Sequence, residues 1–109
     1  SAASDVYKRQ LNDYLFFEFD FADRPPVAAT FSFAPQTQID MINGLTRGRG
    51  ELTHTDAGWI WTVDVRDLEA AASFCMAHAM DGMRPMAPKS LKQAWNHLIE
   101  RTVHEYARA

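Results

Sequence analysis

The chain carries one cysteine, Cys75, so no internal disulfide can form, and that usage fits a reducing compartment such as the cytoplasm. Glycine and proline number five each, too few for a low-complexity or linker-like chain. No apolar run reaches the roughly 18–20 residues of a membrane span, and no charged segment followed by an apolar one reads as an export signal. Positive charge is not in excess. The formal net charge of −3 argues against broad non-specific attraction to nucleic acid and leaves room only for a local basic patch. Catalytic motifs are missing as well. The glycines near Arg47 and Arg49 are not followed by Lys-Ser or Lys-Thr, so they make no P-loop, and they do not fall at dinucleotide-binding spacing. No Ser/His/Asp set can be singled out, because such residues become diagnostic only through geometry.

What is present is patterning. Hydrophobic residues make up 47% of 109 positions and include three tryptophans, enough for the core of one domain. Trp59 to Val65 alternates at the period of a half-buried strand, with Trp59, Trp61, Val63 and Val65 on one face. After Asp67, a plausible N-cap, apolar residues recur at Leu68, Ala71, Ala72, Cys75, Met76, Ala79 and Met80, one stripe of a helix. Gly82 suits the left-handed residue that closes it. Met83 to Met86 gives a short apolar strand, and Pro88 opens a last helix. Its stripe runs through Leu91, Ala94, Trp95, Leu98, Ile99, Thr102, Val103 and Tyr106, with Arg101 and Glu105 spaced for an ion pair on the outer face.

Upstream, Val27 to Phe33 alternates with Val27, Ala29, Phe31 and Phe33 inward. Pro35 suits the start of a helix with Ile39, Ile42 and Leu45 on its inner face, and Asn43-Gly44 offers a stop. Thr46 to Gly50 reads as a flexible loop, and Glu51 to Thr55 as a strand hairpinned onto Trp59–Val65 through Asp56, Ala57 and Gly58. The order strand, helix, strand, strand, helix, strand, helix predicts an α+β domain over residues 27–109. It is a ferredoxin-like βαββαβ sandwich with an added C-terminal helix. One sheet face then lies under helices, while Ala28, Thr30, Ser32, Ile60, Thr62 and Asp64 lie on a small, polar open face.

Residues 11–26 are read separately. Tyr14 to Phe21 alternates aromatic and acidic residues as an edge strand or as a linker built to pack another domain, and Pro25-Pro26 breaks it. Residues 1–10 carry a different expectation. Asp5-Val6-Tyr7-Lys8-Arg9-Gln10 is what the end sequence of a transposon used in sequencing-library preparation encodes, so residues 1–10 are expected to be read-through from that preparation and the natural chain to begin near Leu11 as a truncated fragment. An ordinary frayed terminus is the alternative.

Three sets of residues invite a chemical reading. Arg47 and Arg49 alternate with Gly48 and Gly50, so the backbone can approach a phosphate while guanidinium forks grip it. The bland alternative is a mobile loop. His97, Glu100 and His104 share a helix face and are ligand types for zinc or non-haem iron. Seven residues span about 10.5 Å along a helix, however, which a single ion bridges poorly, so a solvated face is favoured. Trp59 and Trp61 could stack on bases, but their parity with Val63 and Val65 places them in the core. His54 and His78 have no partner that spacing identifies, and Cys75 sits on an apolar stripe as an inert thiol. No cofactor is called for.

The run from Val27–Phe33 through Gly58–Val65, Asp67–Phe74, Asp81-Gly82 and Met83–Leu91 resembles the WCX domain, the C-terminal extension of WYL-domain transcriptional regulators. The resemblance covers roughly Val27 to Tyr106 and rests on hydrophobic spacing, one glycine and one proline, with no invariant chemical group. Pro85 in the short strand and the methionines around it depart from that pattern. The resemblance implies a non-enzymatic regulatory domain whose winged-helix and WYL domains lie outside this sequence. It also implies a role in homodimerisation and a single-stranded nucleic-acid or nucleotide effector. It marks no site residues. Two other readings stay open: a free-standing ferredoxin-like module binding a metabolite or protein partner, and a small metal-dependent enzyme using His97, Glu100 and His104.

Overall fold

A computed structural model describes residues 16–108. Its sheet has four antiparallel strands, β1 (Val27–Ser32), β2 (Glu51–Thr55), β3 (Gly58–Val65) and β4 (Arg84–Ala87), in the order β2-β3-β1-β4. Three helices accompany it: α1 (Ile39–Thr46), α2 (Leu68–Ala77) and α3 (Lys89–Arg108). The domain is therefore α+β. None of these helices is long and apolar enough to cross a membrane.

Alternation decides which face is buried. Ala29 and Phe31 of β1 and Trp61, Val63 and Val65 of β3 are buried. They join Ile42 and Leu45 of α1, Ala71, Ala72 and Cys75 of α2, and Leu91 and Trp95 of α3 in a single core. The register sets Thr30 opposite Thr62 and Ala28 opposite Asp64 on the other face, so the polar open face forms as the period of two requires. Asp67 caps α2 by accepting a hydrogen bond from the Ala70 N–H at 3.0 Å. The hairpin between β2 and β3 closes through Asp56 and Ala57, with Thr55 opposite Gly58. A side chain at Gly58 would press on the Phe33 carbonyl, which fixes glycine there.

Several local expectations give way to tertiary contacts. α1 starts at Ile39, not at Pro35, and runs through Asn43 and Gly44. It stops where Arg47, not a glycine, takes the left-handed conformation, with φ 53°. α2 ends at Ala77, and a 3₁₀ turn over Ala79–Asp81 follows before Gly82 at φ 92°. That turn swings Met80 out, leaving it 98% exposed, although it continues the helical stripe. Val27, at the end of its strand, is exposed, and Trp59 is only half-buried. Pro85 is accommodated because β4 pairs with β1 alone, so its missing N–H can face away from the ladder.

The largest departure lies before β1. The described part of the aromatic segment is no strand. Residues Glu18–Asp20 form one 3₁₀ turn that seats Phe17 and Phe19 in the core. Tyr14 and residues 1–10 lie outside the described residues.

Candidate functional site

The 3₁₀ turn, the loop 47–50 and the β3–α2 junction meet around Asp20. Its carboxylate accepts from the Phe17 N–H at 2.7 Å, which closes the 3₁₀ turn. It also accepts two hydrogen bonds from the Arg49 guanidinium, Nη1 to Oδ2 at 2.9 Å and Nη2 to Oδ1 at 2.5 Å. This is the fork-to-fork geometry that makes Arg–carboxylate pairs both strong and directional. Arg47 adds a bond from Nη1 to the Phe16 carbonyl at 3.0 Å and lies over the Phe17 ring, 4.4 Å from its centroid. The Phe19 carbonyl accepts from the backbone N–H groups of both Arg66 and Asp67 at 3.0 Å.

The loop 47–50 is shaped for this task. Arg47, Gly48 and Gly50 all have positive φ, at 53°, 71° and 70°. That winding presents both guanidinium groups to the turn and aims the Arg49 carbonyl inward, where Trp61 Nε1 donates to it at 2.6 Å. The indole N–H of a fully buried tryptophan is thereby satisfied. Gly50 permits the approach: a Cβ there would overlap the Thr62 carbonyl and stand 2.9 Å from Trp61 Nε1. The segment expected to be a flexible loop is thus held at both ends of Arg49.

Charges follow the geometry. Burial pushes the Asp20 carboxyl up. The Arg49 hydrogen bonds, the Phe17 N–H and the positive charges of Arg49 and Arg66 outweigh it and hold the group below its ordinary value. The same hydrogen bond raises Arg49 above its usual value, with the charges of Asp20 and Asp64 assisting against burial. An incoming anion would meet these acids, so the two arginines expected to grip a phosphate are engaged with the chain's own carboxylate and carbonyl.

The other predicted residues are not brought together. Among the described residues, no group of three His, Cys, Asp or Glu side chains is placed to hold a metal ion. His97, Glu100 and His104 are exposed along α3. Arg101 and Glu105 do not close an ion pair; among the described residues the pairs are Arg49–Asp20 and, at 3.6 Å, His78–Asp81. His54 packs against the Trp59 ring, and His78 against Phe74. Cys75 is fully buried, and desolvation pushes its thiol up to about 12, despite the nearby charge of Arg84.

One surface is unusual for a small domain. Of the stripe on α3 only Leu91 and Trp95 are buried. Ile99, Val103 and Tyr106 are exposed by 37%, 62% and 80%, on the half of the helix beyond Leu98. Thr102, beside them, bonds its hydroxyl to the Leu98 carbonyl at 2.8 Å, so its polar group is already satisfied within the helix.

Compared with protein-family models, curated proteins and solved structures, the chain matches none.

Proposed function

We propose that this chain is a regulatory association domain of the WCX type, the C-terminal part of a WYL-family DNA-binding transcriptional regulator. It acts in the cytoplasm without catalysing a reaction. The observation that carries the reading is the strand order β2-β3-β1-β4, all antiparallel, with a further long helix after β4. A ferredoxin-like βαββαβ unit with a C-terminal helix has this order, and the resemblance drawn from the sequence names the same arrangement.

The chemistry of the surface supports association over catalysis. The open sheet face carries Thr30, Thr62 and Asp64, and the buried thiol is held in its neutral form. The apolar positions of the outer half of α3 are a surface of the kind that another helix covers. Pairing of two subunits through this face is the function assigned to it.

Sedimentation of the 109-residue chain over a range of concentrations tests the pairing. Val103→Glu should raise the dissociation constant by about tenfold or more, since a charge placed in a helix interface is left unpaired. A wild-type chain that stays monomeric into the millimolar range would sink it. The regulator assignment has its own test in the genomic reading frame upstream of Leu11. A winged helix and a WYL domain in frame support it, and an unrelated frame rejects it in favour of a free-standing ferredoxin-like module.

A further inference from the structure

We infer that the turn Phe16–Asp20 is an exchangeable arm, and that its seat accepts the same arm from a second copy of this chain. Two buried rings form the arm's plug. Phe17 and Phe19 stack at 4.8 Å, and both stand edge-on to Phe74, at 5.3 and 5.7 Å. The arm belongs to none of the four strands. Its polar fastenings include Asp20 on Arg49, the Phe16 carbonyl on Arg47, and the Phe19 carbonyl on the N–H groups of Arg66 and Asp67.

The connection to β1 has a different character. Residues 21–26 form neither helix nor strand. Phe21 is exposed, Pro25 and Pro26 offer no N–H, and proline disfavours a compact backbone in the residue before it. An exposed hydrogen bond from Arg66 Nη1 to the Arg24 carbonyl holds this stretch to the body. The seat therefore recognises a ring pair, a carboxylate and two carbonyls, and every one of these is supplied equally by another copy. Reciprocal exchange preserves each contact and alters only the path of the hinge. It gives an isologous pair, the arrangement through which swapped elements close into dimers. This inference does not rest on the regulator reading, and the clasp it uses shares no residue with the outer half of α3.

Charge reversal in two separate chains tests it. Asp20→Arg and Arg49→Asp each set like charges against one another within a single copy. In a 1:1 mixture, unfolded and refolded together, exchange places Asp20 of one copy on Arg49 of the other. The introduced arginine then meets the introduced aspartate. Native mass spectrometry, with one variant isotopically labelled, should find the heterodimer enriched about tenfold over either homodimer. Adding Val103→Glu to both chains should leave that enrichment intact, which separates arm exchange from pairing through α3. The chain bearing Asp20→Arg and Arg49→Asp together restores the pair internally and should show no preference for a partner. Monomers only, or a statistical mixture of dimers, would overturn the inference. Should the single variants fail to fold, mixed-label wild-type protein decides through isotope-filtered NOEs. Contacts from the Phe19 ring of one copy to Trp61 or Phe74 of the other support exchange, and contacts confined to one copy refute it.

Discussion

Replacing Phe19 by alanine asks whether the aromatic turn before β1 belongs to this domain's core. The side chain is fully buried, stacked on Phe17 and edge-on to Phe74 and, at 6.5 Å, to Trp61. Truncating a buried phenylalanine removes its transfer free energy and leaves a cavity, about 3–5 kcal/mol together. A domain of this size has about 5–15 kcal/mol in all, so the change is a large share of its stability. Phe21, two residues on, is 68% exposed, and Phe21→Ala should stay within about 0.5 kcal/mol of the wild type. At about 4–8 °C per kcal/mol, Phe19→Ala should lower the thermal midpoint by about 12 °C or more, and Phe21→Ala by less than about 4 °C. Urea and thermal unfolding followed by tryptophan fluorescence measure both, since Trp61 lies beside the site. Equal, small losses for the two variants would refute the argument and leave the turn as a surface appendage.

Other consequences are as direct. Gly48 and Gly50 share a φ near 70°, but only Gly50 is crowded. Gly48→Ala should cost about 1–2 kcal/mol for the left-handed backbone alone, and Gly50→Ala clearly more, as read from urea midpoints; equal costs would remove the close-approach argument. The Asp20 carboxyl sits below its ordinary value of 3.8 in the folded chain, so the unfolded chain binds its proton first as pH falls. Its stabilisation is therefore complete above pH 3.8 and is lost as pH drops further through the folded value. Stability measured from pH 6 to 2.5 should fall more steeply for the wild type than for Asp20→Asn, and parallel curves would contradict the clasp. Cys75, buried and held as a neutral thiol up to about pH 12, should resist thiol reagents in the folded protein and react once urea unfolds it. Labelling of native protein at the unfolded rate would be inconsistent with that packing.

The elements legible in the sequence were those set by near neighbours. The period of two from Trp59 to Val65 names the buried face of β3, and Asp67 before the helical stripe is the cap that its side chain supplies. Both follow from residues within one strand or one helical turn. The ends of the helices were less legible. Asn43-Gly44 reads as a stop, yet α1 passes through it, because Ile42, Leu45 and Thr46 are all buried and their packing outweighs one glycine's unfavourable propensity. Met80 failed for the opposite reason: it fits the helical stripe, but a tighter turn at Ala79–Asp81 rotates it into solvent.

The four strands of the sheet, the order of the elements, its polar face and the burial of Trp61 and Cys75 follow from local pattern, since periodicity along a short stretch dictates each of these. The use of Arg47 and Arg49 is set instead by the folded chain. Their partners lie 31 and 29 residues away, and no local pattern says that a loop after α1 will meet a turn before β1. Alternation of Phe17 and Phe19 with Glu18 and Asp20 was a visible signal. Whether it meant a strand, a linker or a seated turn depended on the chain folding back so that one carboxylate reached one guanidinium.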